Sequence, residues 1–299
     1  MLNIVGNKKI WFVISGTLIA VAILAVAFYG FKQSAEFKGG TLLQFSAMAD
    51  HPSLSDIQSS FSNDLNIKDA VVTLDSSNQT FFVRFDSIDE ATHQKIDSQL
   101  KNKYPSFSEL SFESVGPSVG ASLRQKSLIA IILVIFGISL YIAYAFRKAS
   151  WPVNSWKYGF VTLLTLFHDV MVPVGLVAIL GHFVGLEVDS NIIVALLVVM
   201  GFSVHDTIVV FDRTRENLLL DHGKTPFPSV VNKSVNQTMA RSINTSLTLI
   251  LVLLALYFAG PSNLQDFVLI LLVGVTTGIY SSIFIASPIL TLFTPKTNK

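Results

Sequence analysis

The sequence predicts an α-helical polytopic membrane protein with six transmembrane helices and one exterior α+β domain of ferredoxin-like (βαββαβ) topology. Composition is the first reason, because 51% of the 299 residues are hydrophobic and only 14% are charged, whereas about 25% of the residues of soluble proteins are charged. The second reason is a set of apolar segments that approach or exceed the roughly 20 residues needed to cross a bilayer. The third is a more polar stretch between the first two segments, in which strand and helix patterns alternate.

The apolar segments contain few charged residues, and each is interpreted as a membrane-crossing helix. The first resembles the apolar core of a secretory signal peptide, but such cores are only about 7–15 residues long. We therefore predict that it is an uncleaved anchor. The six predicted spans are Ile10–Phe31, Ser127–Phe146, Gly159–Phe183, Asn191–Phe211, Ile243–Ala259 and Phe267–Phe293.

Lysine and arginine residues in the short segments between spans indicate the orientation of the chain, because cationic flanks resist translocation. They lie on one side of the membrane, whereas the short loops on the other side, 182–190 and 260–266, contain none. We therefore predict a multi-pass protein of the cytoplasmic membrane with both termini in the cytoplasm. The predicted organisation is a cytoplasmic N-terminus with the first helix (1–32), the exterior domain (33–126), a five-helix region (127–294) with an amphipathic cytoplasmic loop along the membrane surface (212–242), and a cytoplasmic tail (295–299).

The exterior segment contains four short runs rich in β-branched and aromatic residues, which are typical of strands. Apolar residues at helical spacing lie between the first and second runs and between the third and fourth, and this order predicts a ferredoxin-like fold. We expect a polar turn at 75–78 and a capping box of Ser87 and Glu90 at the second helix. The histidines of the domain, His51 and His93, are interpreted as solvated surface residues. The predicted strands are Thr41–Phe45, Ala70–Leu74, Thr80–Phe85 and Leu110–Val115.

Five ionisable residues within or beside the predicted spans are the candidates for function: His168, Asp169, His205, Asp206 and Arg241. A charged side chain at the bilayer centre costs about 2.5–3.5 kcal/mol to insert, so such residues normally face the protein interior, form pairs and mark an ion or substrate path. Asp206 and Arg241 both lie near the cytoplasmic ends of their spans, which allows them to pair. The alternatives are that this pair only joins two helices, that Arg241 reaches water without a partner, and that the histidines are simply packed or hydrogen-bonded.

The sequence argues against a metal, cofactor or nucleic-acid site. It has no cysteine and a formal net charge of +1, which disfavours disulfides, cysteine-based zinc sites and a basic surface for nucleic acid. His and Asp side chains suit zinc or iron, but metalloprotease helices place two histidines four residues apart, and the spans lack that spacing. We therefore predict no catalytic residue, no metal and no cofactor.

Three strings have the character of family motifs. They follow the first span (Phe37–Thr41), precede the second (Val115–Gly120) and form the end of the fourth span with its extension (Gly201–Asn217). Together they closely resemble the SecF family, whose members are the smaller partners of SecD in the bacterial protein-export accessory complex, within the resistance-nodulation-division superfamily. The resemblance covers nearly the whole chain and includes His168–Val170 and Gln237–Ser242.

The resemblance implies a subunit that pairs with SecD in the lipid bilayer, associates with the SecY channel complex, and uses protons moving down their gradient to promote the export of unfolded polypeptides. By motif alignment, the family's proton-linked Asp and Arg fall on Asp206 and Arg241. His205 departs from the family pattern, in which Asn often precedes the carboxylate, and a titratable neighbour could tune Asp206 or join the proton relay. Two other functions stay open: a passive scaffold subunit that binds no proton, and half of a proton-driven exporter of small molecules or lipids.

Overall fold

A computed structural model of the chain describes residues 2–47, 50–75, 80–147 and 153–293. The chain divides into two compact units. One consists of residues 33–128, and the other combines residues 1–32 with residues 129–299. The first is an α+β unit and the second is helical, and each is described by itself.

The described residues form the following elements in chain order. They are helix α1 (Lys8–Tyr29), the short helix α2 (Ala35–Lys38), strand β1 (Gly40–Ser46), helix α3 (Leu54–Ser59) with a π-helical continuation (Ser60–Asp64), strands β2 (Val71–Asp75) and β3 (Thr80–Phe85), helix α4 (Glu90–Lys103), strand β4 (Ser108–Val115), helices α5 (Pro117–Ala145), α6 (Ser155–Phe183), α7 (Ser190–Asp221), α8 (Phe227–Ala259) and α9 (Gln265–Ser281), a π-helical segment (Ser282–Ala286) and helix α10 (Ser287–Leu290), with 3₁₀ turns at Ser262–Leu264 and Thr291–Phe293.

Six helical segments are long and apolar enough to cross a membrane: α1, α5, α6, α7, α8 and the stretch from α9 to Phe293. They correspond to the six predicted spans, so the prediction of a polytopic helical membrane protein is confirmed. Several helices extend beyond the ends of their apolar runs, because the backbone hydrogen bonding of the helix continues where the side chains become polar. Apolar length therefore marks the part of a helix suited to hydrocarbon rather than the whole helix.

The clearest example is the predicted amphipathic loop at 212–242, which is helical but continues α7 and α8 instead of forming separate helices along the membrane surface. Residues up to Asp221 continue α7, and the residues from Phe227 onward already belong to α8. Only the five residues between them form the turn, which starts at His222 in a left-handed conformation. Two buried side chains of this region, Val230 and Val231, pack into the core of the helical unit, so the segment is not a separate surface helix.

The α+β unit has the predicted ferredoxin-like topology, with an antiparallel sheet in the order β2-β3-β1-β4. Its core lies on one face of the sheet, where Phe45 and Val83 pack against Phe61 of the π-helical turn and Ile96 of α4. The predicted turn at 75–78 falls largely outside the described residues. The capping prediction was wrong: α4 begins one residue after Asp89, whose carboxylate accepts a hydrogen bond from the Thr92 backbone N–H at 2.9 Å. Hydrogen bonds from Thr92 hold the pKa of Asp89 below its usual value.

Two of the recognisable sequence strings meet within the α+β unit. The backbone of Gly39, before β1, lies against Pro117 at the start of α5. One turn further along α5, a Cβ atom at position 120 would lie 2.8 Å from the Glu36 carbonyl oxygen and 3.0 Å from that of Phe37. Glycine at position 120 therefore allows α2 and α5 to pack backbone against backbone, which explains why glycines occur in both strings.

His93 differs from its predicted solvated position. It projects from α4 onto β4, where Nε2 lies 2.8 Å from the Glu109 carboxylate and the imidazole stacks on Phe112 with ring centroids 3.6 Å apart. Its side chain is only 15% exposed. Helical periodicity could not reveal this contact, because the partner comes from a strand that follows later in the chain. His51 is exposed, as expected.

Candidate functional site

Asp206 is buried in the middle of α7, with 3% of its surface exposed. Its carboxyl group lies against the hydroxyl groups of Ser242 and Ser246, which are one turn apart on α8. The three groups are close, but their geometry does not complete the hydrogen bonds. Among the described residues, Oδ2 of Asp206 and both serine Oγ atoms are buried without a hydrogen-bond partner. Orphaned polar atoms of this kind are costly inside a protein and normally indicate a site for water, a proton or an ion.

Arg241 does not pair with Asp206 in this conformation, contrary to the expected contact. Its side chain is exposed, and the ion pairs found among the described residues include neither Arg241 nor Asp206. The reason is helical geometry, since consecutive residues of a helix point about 100° apart. Because Ser242 faces Asp206, Arg241 must point away from it.

Asp169 is the centre of a second polar group, which joins three helices. It is fully buried on α6 and accepts hydrogen bonds from the hydroxyls of Ser203 on α7 and Ser281 on α9, the latter at 2.6 Å. The adjacent His168 completes the set, with Nδ1 2.8 Å from Oδ1 of Asp169. His168 is therefore a packed and hydrogen-bonded histidine, as one of the alternatives predicted. Its Nε2 is buried and has no partner in the described part of the chain.

A close approach of α7 and α9 makes this second group possible. A Cβ atom at Gly278 would lie 3.2 Å from the Ser203 Cβ and 3.3 Å from its Cα, so a larger residue would push the helices apart. One turn further along, Thr207 and Ser282 share a hydrogen bond of 2.9 Å between their hydroxyls. Ser282 begins the π-helical segment, and such irregularities inside α-helices are frequent at functional sites.

His205 lies on the exposed side of α7, not in a packed position as sequence reasoning expected. On α8, Arg241, Asn244, Thr245 and Thr248 are likewise exposed. Polar side chains are expensive when they face lipid. These two helices therefore present polar surfaces that are unsuited to contact with hydrocarbon alone.

Sequence reasoning identified the ionisable members of the site but missed the hydroxyl residues around them. Ser203, Asp206 and Thr207 have spacings that place them on one face of a helix, and Ser242 and Ser246 have the same i, i+4 relation. Small hydroxyl side chains at helical spacing within an apolar span were the available signal. They were overlooked because each one alone is compatible with ordinary helix packing.

Chemically, the arrangement contains two buried carboxyl groups with different surroundings. Asp169 has three polar neighbours that can donate hydrogen bonds, whereas Asp206 faces two hydroxyls with incomplete geometry and forms no ion pair among the described residues. Within the described ranges, no group of three His, Asp or Glu side chains is arranged to hold a metal ion. A proton is the simplest species that can neutralise the carboxyl group of Asp206.

Known proteins resemble this chain over almost its whole length. The family of protein export membrane proteins described as SecD/SecF, C-terminal, matches residues 95–296, a range that contains Asp169, Asp206 and Arg241. The chain belongs to the SecD/SecF family. The family resemblance inferred from the three sequence strings is thereby confirmed.

Two relatives and one solved structure illustrate the similarity. The protein translocase subunit SecF of Thermobaculum terrenum is 40% identical over 97% of this chain and 93% of its own length. The protein translocase subunit SecDF of Thermus thermophilus is 33% identical over 95% of this chain. The crystal structure of SecDF from the same organism, described as a translocon-associated membrane protein, superposes with a TM-score of 0.81 at 31% identity over 97% of this chain. This chain spans only 37% of the SecDF sequence and 38% of the SecDF crystal chain.

Proposed function

We propose that this chain is a SecF-type subunit of the Sec protein-export machinery that works with a SecD partner and uses the proton gradient to promote translocation of unfolded proteins through the SecY channel complex. The full-length similarity to a SecF translocase subunit supports the export role. In this proposal the chain is a transport subunit rather than an enzyme. Both termini are cytoplasmic and residues 33–126 form the exterior domain, because lysine and arginine residues flank the spans on the side opposite the loops 182–190 and 260–266.

The observation that carries the proton role is the carboxyl group of Asp206, which is buried on α7 against α8 and forms no ion pair among the described residues. A carboxylate in such a place needs either a proton or a positive partner, since an unpaired buried charge is very costly. Arg241 is the nearest candidate partner along α8, one residue from Ser242. A rotation of α8 by about 100° would bring Arg241 to the position that Ser242 now occupies. Asp206 would then alternate between a bound proton and Arg241 as its neutralising partner.

Such an exchange couples proton movement to helix movement. One elementary charge crossing about 100 mV releases about 2.3 kcal/mol, which changes the ratio of two conformations roughly fifty-fold. That energy is enough to drive a two-state rearrangement of α8. Asp169 and His168 form a buried carboxyl–imidazole pair on the neighbouring helix α6, and His205 lies on the exposed side of α7. We assign these three residues to the proton path as secondary members.

The SecD partnership is supported by the exposed polar surfaces of α7 and α8. His205, Arg241 and Asn244 would be unfavourable against lipid, and contact with another membrane subunit would remove that cost. The relative named SecDF is a single chain, and this chain matches only 37% of that relative's length. In this proposal the rest of the relative corresponds to the partner subunit. We therefore place SecD against these surfaces.

The test is export of a precursor into inverted membrane vesicles in which the size of the proton gradient is imposed. Asp206→Asn should assemble with its partner but lose the gradient-dependent stimulation of export, because it can neither release a proton nor pair with Arg241. Asp206→Glu should retain part of it. The matched control is Asp212→Asn, an exposed carboxylate on the same helix. If Asp206→Asn vesicles respond to the gradient as wild-type vesicles do, the proton role is wrong and the scaffold interpretation replaces it.

A further inference from the structure

The segment before α1 is fastened to the N-terminal part of α8 by two asparagines. Oδ1 of Asn232 accepts hydrogen bonds from the backbone N–H groups of Ile4 (2.9 Å) and Val5 (3.2 Å), and Nδ2 donates to the Leu2 carbonyl at 3.0 Å. One turn along α8, Asn236 bonds both backbone groups of Leu2. Ile4 and Val5 are buried in the core of the helical unit. This attachment fixes an otherwise irregular stretch of backbone beside a helix.

A groove of about 510 Å³ lies between this fastened segment and the first turns of α8. Lys8 and Lys233 line it from opposite sides, together with polar groups of Asn3 and Ser229, and its lining includes no acidic side chain. Neither lysine forms an ion pair among the residues that the structure describes. The carboxylate oxygens of nearby Asp221 both accept hydrogen bonds from Thr225, one from the backbone N–H at 2.6 Å and one from Oγ1 at 2.5 Å.

The start of the apolar part of α1 beside the groove indicates that the groove lies near the membrane–water boundary. Lys8 precedes the first apolar residue of α1, Ile10, by two positions, or about 3 Å along a helix axis. The headgroup layer of a bilayer occupies roughly the outermost 5–8 Å of each leaflet. The groove therefore combines two lysines that form no ion pair among the described residues, hydrogen-bonding side chains and a concave shape. It lies at the depth where phospholipid phosphates are found.

We propose that this groove binds the phosphate of an anionic phospholipid headgroup, with Lys8 and Lys233 as the two charged contacts. The asparagine attachment builds one wall of the site, and the lysines supply its charge. Basic recesses of this kind differ from an ordinary row of flanking lysines because they hold one headgroup in a fixed place. The proposal depends on the groove alone and is independent of the proton role of Asp206.

The test is native mass spectrometry of the delipidated full-length chain in detergent, titrated with phosphatidylglycerol or with zwitterionic phosphatidylcholine. Lys8→Gln combined with Lys233→Gln should weaken phosphatidylglycerol binding about 30-fold, which corresponds to about 1 kcal/mol per lysine near a membrane surface. The arginine versions of both substitutions should retain binding. The matched control is Lys9→Gln combined with Lys224→Gln, which removes two exposed cations that do not line the groove.

Three results would overturn the proposal. Equal loss of affinity in the control pair would show that only overall charge matters. Asn232→Ala removes the hydrogen bonds that hold residues 2–5 against α8 but keeps both lysines. Unchanged binding in this variant would show that the shape of the groove does not matter for binding. Displacement of phosphatidylglycerol by inorganic phosphate at similar concentration would assign the site to a soluble phosphate rather than to a lipid.

Discussion

At the scale of single residues, the two buried carboxyl groups have different surroundings and therefore different expected roles. Asp169 has three hydrogen-bonding neighbours and a fixed place between helices, whereas Asp206 faces hydroxyls that do not satisfy it. A group that is already satisfied is poorly suited to exchanging partners, because each exchange breaks favourable contacts. Asp206 is therefore the better candidate for a proton that is repeatedly bound and released, whereas Asp169, a secondary member of the proposed proton path, mainly holds helices together.

Removal of the Asp169 carboxylate should destabilise the helical unit. Asp169→Ala leaves the Ser203 and Ser281 hydroxyls and the His168 ring without their partner. Hydrogen bonds between membrane helices are worth about 0.6 kcal/mol on average, so loss of the two interhelical bonds, from Ser203 and Ser281, should cost about 1 kcal/mol. Thermal unfolding of the purified chain measures this, and the exposed Asp212→Ala serves as the control. Equal stability of Asp169→Ala and wild type would contradict the assignment.

The candidate site could be predicted only in part at this scale. Ionisable residues within spans stand out because hydrocarbon penalises them, which is why His168, Asp169 and Asp206 could be identified. The hydroxyl groups that surround them carry no such penalty and are common in packed helices. The Asp206–Arg241 contact was inferred from depth, but contact also depends on the rotation of each helix about its own axis, and depth does not reveal that.

At the scale of elements, the packing of α7 against α9 controls whether Asp169 keeps its partners. Gly278→Val should separate the helices, since even a single added carbon would approach Ser203 within 3.2 Å. We expect lower thermal stability and loss of gradient-stimulated export. Gly137→Val on α5 is the control, because nothing lies within 4 Å of a Cβ there. If both variants behave alike, the close approach of α7 and α9 has no special importance.

The contact between α4 and β4 makes a second prediction at this scale. His93→Ala removes the stacking on Phe112 and the hydrogen bond to Glu109, so local stability of the α+β unit should fall by about 1 kcal/mol. Hydrogen exchange of the backbone amides in α4 and β4 of the full-length chain reports it. His51→Asn is the matched control, since it changes an exposed histidine to a residue that tolerates its left-handed conformation. Unchanged exchange in His93→Ala would support the earlier interpretation of a solvated histidine.

Element type and order were predictable, whereas element ends and side-chain partners were less so. Hydrophobic runs and alternating strands are local patterns, and they gave both the six spans and the ferredoxin-like order. Helices α7 and α8 extend past their apolar runs, because polar residues can also form helices in water. Contacts such as His93 with β4 depend on which elements pack together, which local periodicity does not encode.

At the scale of the whole molecule, the orientation proposed from lysine and arginine residues is directly testable because the chain contains no cysteine. Gln99→Cys on α4 and Ser229→Cys on α8 introduce single thiols at exposed positions. A membrane-impermeant thiol reagent should label Gln99→Cys in intact spheroplasts and Ser229→Cys only after permeabilisation. Labelling of Ser229→Cys from outside would reverse the proposed topology.

The account of the whole molecule depends on one chemical event, the exchange of a proton at Asp206. Infrared difference spectroscopy of the chain assembled with SecD in lipid, recorded between acidic and alkaline conditions, detects that proton through the carbonyl band of a protonated carboxyl group. We predict a band that changes with proton concentration, that disappears in Asp206→Asn and that is retained in Asp212→Asn. An identical band change in Asp206→Asn and wild type would contradict the proposal, because the titrating carboxyl group would then lie elsewhere.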